Sequence, residues 1–208
     1  MPVTPSHPFI SLANTQGILM TKKLSLIAML LLSVQLAGCF PAVVGGAAAG
    51  GAMAADRRTS GIYVEDENIE LKTLKRLSQY MDKASHINVT SYNRIVLLTG
   101  EVPNAGQQAQ AETLTREISN VRNIHNAITV GFASSISDRT NDAYVTTKVK
   151  ARFVSENKFP ANVVKVVTEA SVVYLMGIVS EKEAEDAVEI ARSTEGVSKV
   201  VKVFEYTN

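Results

Sequence analysis

The chain of 208 residues has no tryptophan, one cysteine and three histidines. A single cysteine excludes an internal disulfide framework and any zinc site built from several thiolates. His7, His86 and His125 stand far apart, with no pair at metal-ligand spacing, so no metal is expected. An excess of either charge is also lacking: 21 Lys and Arg face 20 Asp and Glu. Proteins that hold nucleic acid by bulk charge show a marked basic surplus, so no nucleic-acid partner is expected. No serine sits in a nucleophile elbow, and no glycine loop runs into Lys-Ser or Lys-Thr after a strand. The acids Glu181, Glu183, Glu185, Asp186 and Glu189 read as the solvated side of one helix. His86 and His125 read as polar structural residues. The expectation is therefore no enzyme, no catalytic residue and no cofactor. Apolar residues make up 46% of the chain, enough for a folded core.

The first apolar run, Leu24 to Ala37, follows Lys22 and Lys23. That is a basic segment and a short hydrophobic one, too short to span a bilayer as a helix. It ends Leu36-Ala37-Gly38-Cys39, which resembles the bacterial lipobox. The resemblance implies cleavage before Cys39 and lipidation of its thiol. Met20-Thr21-Lys22-Lys23 reads as an ordinary signal-peptide start, so Met20 is the expected translation start. Residues 1–38 are thus read as upstream residues plus signal peptide. Phe40 follows the cysteine. The absence of Asp there implies, by the same resemblance, sorting to the outer membrane, facing the periplasm.

Ala42 to Ala55 reads AVVGGAAAGGAMAA, and four glycines in fourteen residues weaken a helix. Residues 39–65 are read as lipidated cysteine and flexible tether, with a reach of roughly 25–30 Å for Phe40–Glu65 as a random coil.

The remainder repeats itself. Ile69, Lys72 and Leu77 correspond to Val145, Lys148 and Phe153, and Leu97-Leu-Thr-Gly-Glu-Val102 corresponds to Tyr174-Leu-Met-Gly-Ile-Val179. Each half predicts a helix (Asp66 to about Lys83; Asp142 to about Asn157). Two β runs follow (Ile87–Ser91 with Ile95–Val102; Val163–Thr168 with Val172–Val179), then a second helix and a last β run (Ile124–Val130; Lys199–Tyr206). Hairpin turns are expected at Asn93 and at Glu169-Ala170. Ser180-Glu-Lys-Glu183 is a capping box opening the last helix. The order αββαβ, with a right-handed crossover, predicts an α+β fold: two helices on one face of a three-stranded mixed sheet. Gly100 and Gly177 fall where a strand should leave for the next helix, and read as structural glycines.

These features resemble the BON domain, over about residues 66 to 206. The lipobox, the tether and two such units, with segments such as Asn88-Val-Thr-Ser-Tyr92 and Asn141-Asp-Ala-Tyr144, are similar to the dual BON-domain outer-membrane lipoproteins. That is the division- and outer-membrane-stress-associated lipid-binding family. Two tandem BON domains are expected, at 66–132 and 138–208. The resemblance implies binding of anionic phospholipid (phosphatidylglycerol or cardiolipin) through the first helix of the second domain, in support of envelope integrity and division-site processes. The alternative is a non-catalytic periplasmic protein-interaction adaptor for envelope assembly or septal peptidoglycan hydrolysis, using strand edges and the acidic second helix.

On a helix at 100° per residue, Val145, Val149 and Phe153 form the core stripe. Tyr144, Thr147, Lys148, Ala151 and Val154 lie nearly opposite, with Lys150 beside them. An aromatic among cations suits a headgroup interface. Lys148, Lys150 and Arg152 would each contribute about 1 kcal/mol near an anionic surface; the alternative for Arg152 is to line the core edge through its stem. The corresponding face of the first repeat (Asn68, Leu71, Lys72, Lys75, Ser78) lacks the aromatic. The family commonly has Trp where this chain has Tyr144, which implies weaker lipid binding here.

Overall fold

The structure is a computed structural model that describes residues 56–207. The signal segment, Cys39 and most of the tether lie outside the described residues. The first domain runs α1 (Ser60–Tyr80), β1 (His86–Tyr92), β2 (Ile95–Val102), α2 (Ala105–Arg116), β3 (Asn123–Asn126) and β4 (Thr129–Val130). The second runs α3 (Ile136–Glu156), a 3₁₀ turn (Ala161–Val163), β5 (Val164–Glu169), β6 (Val172–Val179), α4 (Glu181–Arg192) and β7 (Lys199–Tyr206). In each, an antiparallel hairpin is extended by a parallel strand beside its second member. Each domain is therefore the expected αββαβ unit with a mixed sheet.

Both first helices begin six residues before the expected Asp66 and Asp142. Thr59 accepts from the Ile62 amide at the head of α1. A reciprocal capping box of Ser135 and Asp138 opens α3. Ser60 to Glu65, read as tether, are thus helical. The last strand of the first domain is also broken, because the Asn126 side chain accepts from the Ile128 amide and separates β3 from β4.

The helices cover one face of each sheet. In the first domain Ile69, Leu77 and Ala111 bury against Val89, Val96, Leu98 and Val102. In the second, Val145, Val149, Phe153 and Ile190 bury against Val166, Val173, Leu175 and Val179. Each of the larger side chains, Ala111 aside, contributes roughly 1.5–3 kcal/mol of burial. The other sheet faces are apolar as well and close on each other: Tyr92 and Leu97 meet Tyr174 and Met176. Burial on both faces explains why the strands read as near-continuous hydrophobic runs rather than alternating ones. The layers are helix, sheet, sheet, helix.

Polar groups rim this junction. Lys165 pairs with Glu70 at 2.9 Å and Arg122 with Glu205 at 2.7 Å. Tyr92 donates to the Val163 carbonyl at 3.4 Å, and Asn88 donates to Glu169 at 2.8 Å. β1 and β5 therefore cross the junction in opposite senses.

The segment before α1 is docked on the second domain. Arg57 donates to the Ile178 carbonyl at 2.8 Å and to both Glu183 oxygens at 2.7 Å. Those bonds hold the Glu183 carboxyl down at about 2. A carboxyl lowered on folding stabilises above its ordinary value near 4.5, and the benefit is lost as pH falls towards 2. Melting temperature should accordingly decline between pH 4.5 and 2. Arg57→Ala should flatten that part of the decline, as read by calorimetric scans across the range.

Candidate functional site

The outward face of α3 follows from its inward one. With Val145, Val149 and Phe153 fully buried, helical spacing turns Tyr144, Thr147, Ala151 and Val154 to the outside, and all four are exposed. Tyr144 is 61% accessible and Val154 68%, high values for large apolar side chains among described residues that also bury three clusters. Lys150 is exposed beside them. Lys148 is half-buried: its ammonium pairs with Glu195 at 2.9 Å and lies 5.3 Å from the centre of the Tyr144 ring. The Lys148 bond lowers the Glu195 carboxyl. Lys148 thus steadies the tyrosine ring, while part of its charge is already answered. The six predicted residues do share one surface.

Arg152, expected among the headgroup cations, is engaged elsewhere. It donates to Glu156, the Ile190 carbonyl, Ser193 and Thr194, so it locks the end of α4 onto α3. The cationic part of the face reduces to Lys148 and Lys150.

Residues missed by the sequence reading adjoin this face. Lys150 and Val154 line a groove of about 500 Å³ whose other side includes Arg58, Tyr63 and Lys165. Tyr63 is 42% accessible. It precedes Asp66, where the apolar periodicity begins, and so falls in the stretch expected to be tether. Ser135-Ile-Ser-Asp138 and Thr59 were the capping signals that mark the true starts. The outer face of α1 also exposes apolar groups, with Leu71 65% and Leu74 42% accessible.

The histidines divide. His125 lies edge-on to Tyr174 at 6.3 Å, and burial pushes its imidazole below the usual range. Its role is packing in the sheet junction. His86, in contrast, is brought by the fold within reach of two acids distant in sequence, Glu101 and Glu169.

No described helix is long and apolar enough to cross a membrane. Residues 65–131 and 141–208 each match the BON domain. The chain is 35% identical over 176 residues to the Outer membrane lipoprotein DolP of Haemophilus influenzae, covering 84% of this chain and 91% of that protein. It is 34% identical over 153 residues to the 21 kDa hemolysin of Actinobacillus pleuropneumoniae, covering 73% and 79% respectively. It is 27% identical to the Osmotically-inducible protein Y of Escherichia coli, covering 67% and 72%. These relations support an outer-membrane lipoprotein, and with two matched domains over most of its length the chain belongs to the BON-domain family.

Proposed function

We propose that the protein is held by a lipidated Cys39 on the periplasmic side of the outer membrane and binds anionic phospholipid through the outer face of α3. The role is non-catalytic and serves envelope integrity and division-site processes. The observation that carries this reading is the exposure of Tyr144 and Val154 on one helical face with Lys150. The aromatic would sit at the headgroup boundary while Lys148 and Lys150 meet phosphate. Such a face binds weakly from solution, and the acyl anchor compensates by raising the local lipid concentration. Tyr63, across the groove from Val154, adds apolar area to the same surface.

A mature chain with Cys39→Ser, lacking the acyl anchor, isolates the protein face. It should sediment with vesicles containing phosphatidylglycerol or cardiolipin and not with neutral vesicles. Tyr144→Ala with Lys148→Glu removes about 1–2 kcal/mol of apolar burial and reverses one charge. The two changes together amount to about 3–4 kcal/mol, so binding should fall by about 100-fold or more. The melting temperature should fall by only about 2–4 °C, because Tyr144 is exposed and the Lys148–Glu195 pair lost in the variant is worth about 1 kcal/mol at the surface. Undiminished vesicle binding by the double variant would exclude this face.

A second reading, an adaptor for envelope proteins, draws on a recess of about 590 Å³ on α4. Glu181, Glu185 and Glu189 line it with Arg192 and Lys202. Capture of partners that survives the Tyr144 and Lys148 changes but is lost on Glu185→Lys would favour it.

A further inference from the structure

The domain junction has two ends related by the internal repeat. The strand pairing aligns Ile87 with Gly100 and Val164 with Gly177. His86, Tyr92 and Glu101 therefore correspond to Val163, Glu169 and Ile178. At the first end, Tyr92 meets Val163 and Ile178, and the site is supplied with cations. The Arg58 guanidinium stacks 4.0 Å from the Tyr92 ring, while Arg57 binds the Ile178 carbonyl. At the second end, Glu169 meets His86 and Glu101. The position corresponding to Arg58 is there Ser134, whose amide and hydroxyl approach Glu101 at 3.2 and 3.4 Å.

Two carboxylates are thus buried together, Glu101 at 7% and Glu169 at 8% accessible. Glu169 accepts from Asn88 and Thr99, both neutral. Among the described residues no lysine or arginine pairs with either acid, and His86 Nδ1 lies 3.3 Å from Glu101. Arg139 and Asp142 line the adjoining recess, but Arg139 donates to Ser134 and Asp142 accepts from the Ala170 and Ser171 amides. Burying like charges side by side is unfavourable unless a cation compensates them.

We propose that His86, Glu101 and Glu169 bind a divalent transition-metal ion of the zinc class, which ties the two domains together. One ligand atom from each residue lies within 4.8 Å of the other two. Ligands at about 2.0–2.2 Å from one zinc ion stand closer than this, so small side-chain rotations close the set. One imidazole and two carboxylates suit zinc, with water completing the shell from the recess. Calcium would need six or more oxygens, and magnesium favours an all-oxygen octahedron. Glu169 comes from the second domain and the other two ligands from the first, so the ion closes the end of the junction that arginine closes at the other.

The test is calorimetric titration of the untagged full chain, in detergent and stripped by chelator, with zinc chloride. One saturable equivalent at low-micromolar zinc is expected. Zinc at about a hundred times that level should raise the melting temperature by about 5–10 °C. His86→Ala and Glu169→Gln should each weaken binding at least tenfold, and His125→Ala should leave it unchanged. His86→Ala sits at the partly exposed edge and keeps the test valid if Glu169→Gln disturbs docking. Absence of saturable binding up to 1 mM zinc, about the weakest affinity of interest, would overturn the site. So would affinities for both variants equal to that of the parent chain. A melting temperature that ignores zinc at that level would likewise overturn the site.

Discussion

Asp142→Ala should lower the stability of the protein by about 3 kcal/mol. Asp142 lies at the seventh residue of α3, buried, with its side chain turned to the hairpin between β5 and β6. Its two oxygens accept from the Ala170 amide at 2.8 Å and the Ser171 amide at 2.9 Å. Those turn residues have φ of 49° and 62°, the left-handed pair of a type I′ hairpin turn, which normally selects Asn-Gly or Gly-Gly. Neither is glycine here. The carboxylate holds open a conformation that L-residues adopt at a cost of about 1–2 kcal/mol each. The first domain repeats the device: Asp66 accepts from Asn93 at 2.8 Å and from Arg94 at 2.7 Å, where φ is 50° and 64°. An aspartate delivered by the helix thus substitutes for glycine in the turn.

The loss in Asp142→Ala combines two charge-assisted hydrogen bonds with the strain they offset. In a pair of docked domains of this size, about 3 kcal/mol corresponds to a fall of roughly 6–12 °C in melting temperature. Ala170→Gly placed in the Asp142→Ala background should recover about 1 kcal/mol, since glycine occupies positive φ freely. Asp66→Ala should cost more, because Asp66 also accepts from Ser91 at 2.7 Å and pairs with Arg58 at 2.9 Å. Chemical denaturation of the three variants orders these effects. A melting temperature for Asp142→Ala within 2 °C of the parent would show that the turn is held by the strands alone.

That aspartate also marks how far the sequence could be read. Asp66 and Asp142 are visible in the sequence as a repeated position, and the apolar periodicity that begins just after them points to helix starts there. Their function lies in a contact with a turn about 28 residues away, which periodicity does not encode. The strands and the order αββαβ were legible because Leu97–Val102 and Tyr174–Val179 are long apolar runs bounded by turn residues. The same continuity hid which side of each strand faces which neighbour. Leu98 packs under the helices while Leu97 meets the partner sheet, and both are simply leucine in the sequence. The outer face of α3 was legible as an angular complement of a strong core stripe. Arg152 leaves that face because its partners Ile190, Ser193 and Thr194 lie at and just past the end of another helix, a contact that the spacing along α3 does not encode. His86, Glu101 and Glu169 carry no shared signal in the sequence, because a strand pairing and a domain junction bring them together and neither leaves a local spacing.

The glycines give the largest expected effect. Both lie inside strands rather than at the strand exit where the sequence placed them: Gly100 in β2 opposite Ile87, Gly177 in β6 opposite Val164. A Cβ at Gly100 would stand 2.0 Å from the His86 carbonyl oxygen, and φ there is +111°. A Cβ at Gly177 would stand 2.5 Å from the Val163 carbonyl oxygen without the unusual φ. Backbone oxygen cannot rotate aside as a side chain can, so the edge strand must move. At Gly100 that strand is β1, which also carries Tyr92, Asn88 and His86 into the domain junction. Gly100→Val should therefore cost about 4–5 kcal/mol or more, a large part of the 5–15 kcal/mol that holds a typical domain. It should abolish the cooperative melt of the first domain and raise amide exchange at the β5 and β6 residues facing it. Gly177→Val should be milder, because β5 is preceded by a short 3₁₀ turn that can yield, yet it should still lower the melting temperature by roughly 6 °C or more. Circular dichroism and melting of Gly100→Val indistinguishable from the parent would mean that β1 does not pair with β2 in this register. The junction between the domains, which rests on that register, would then have to be redrawn.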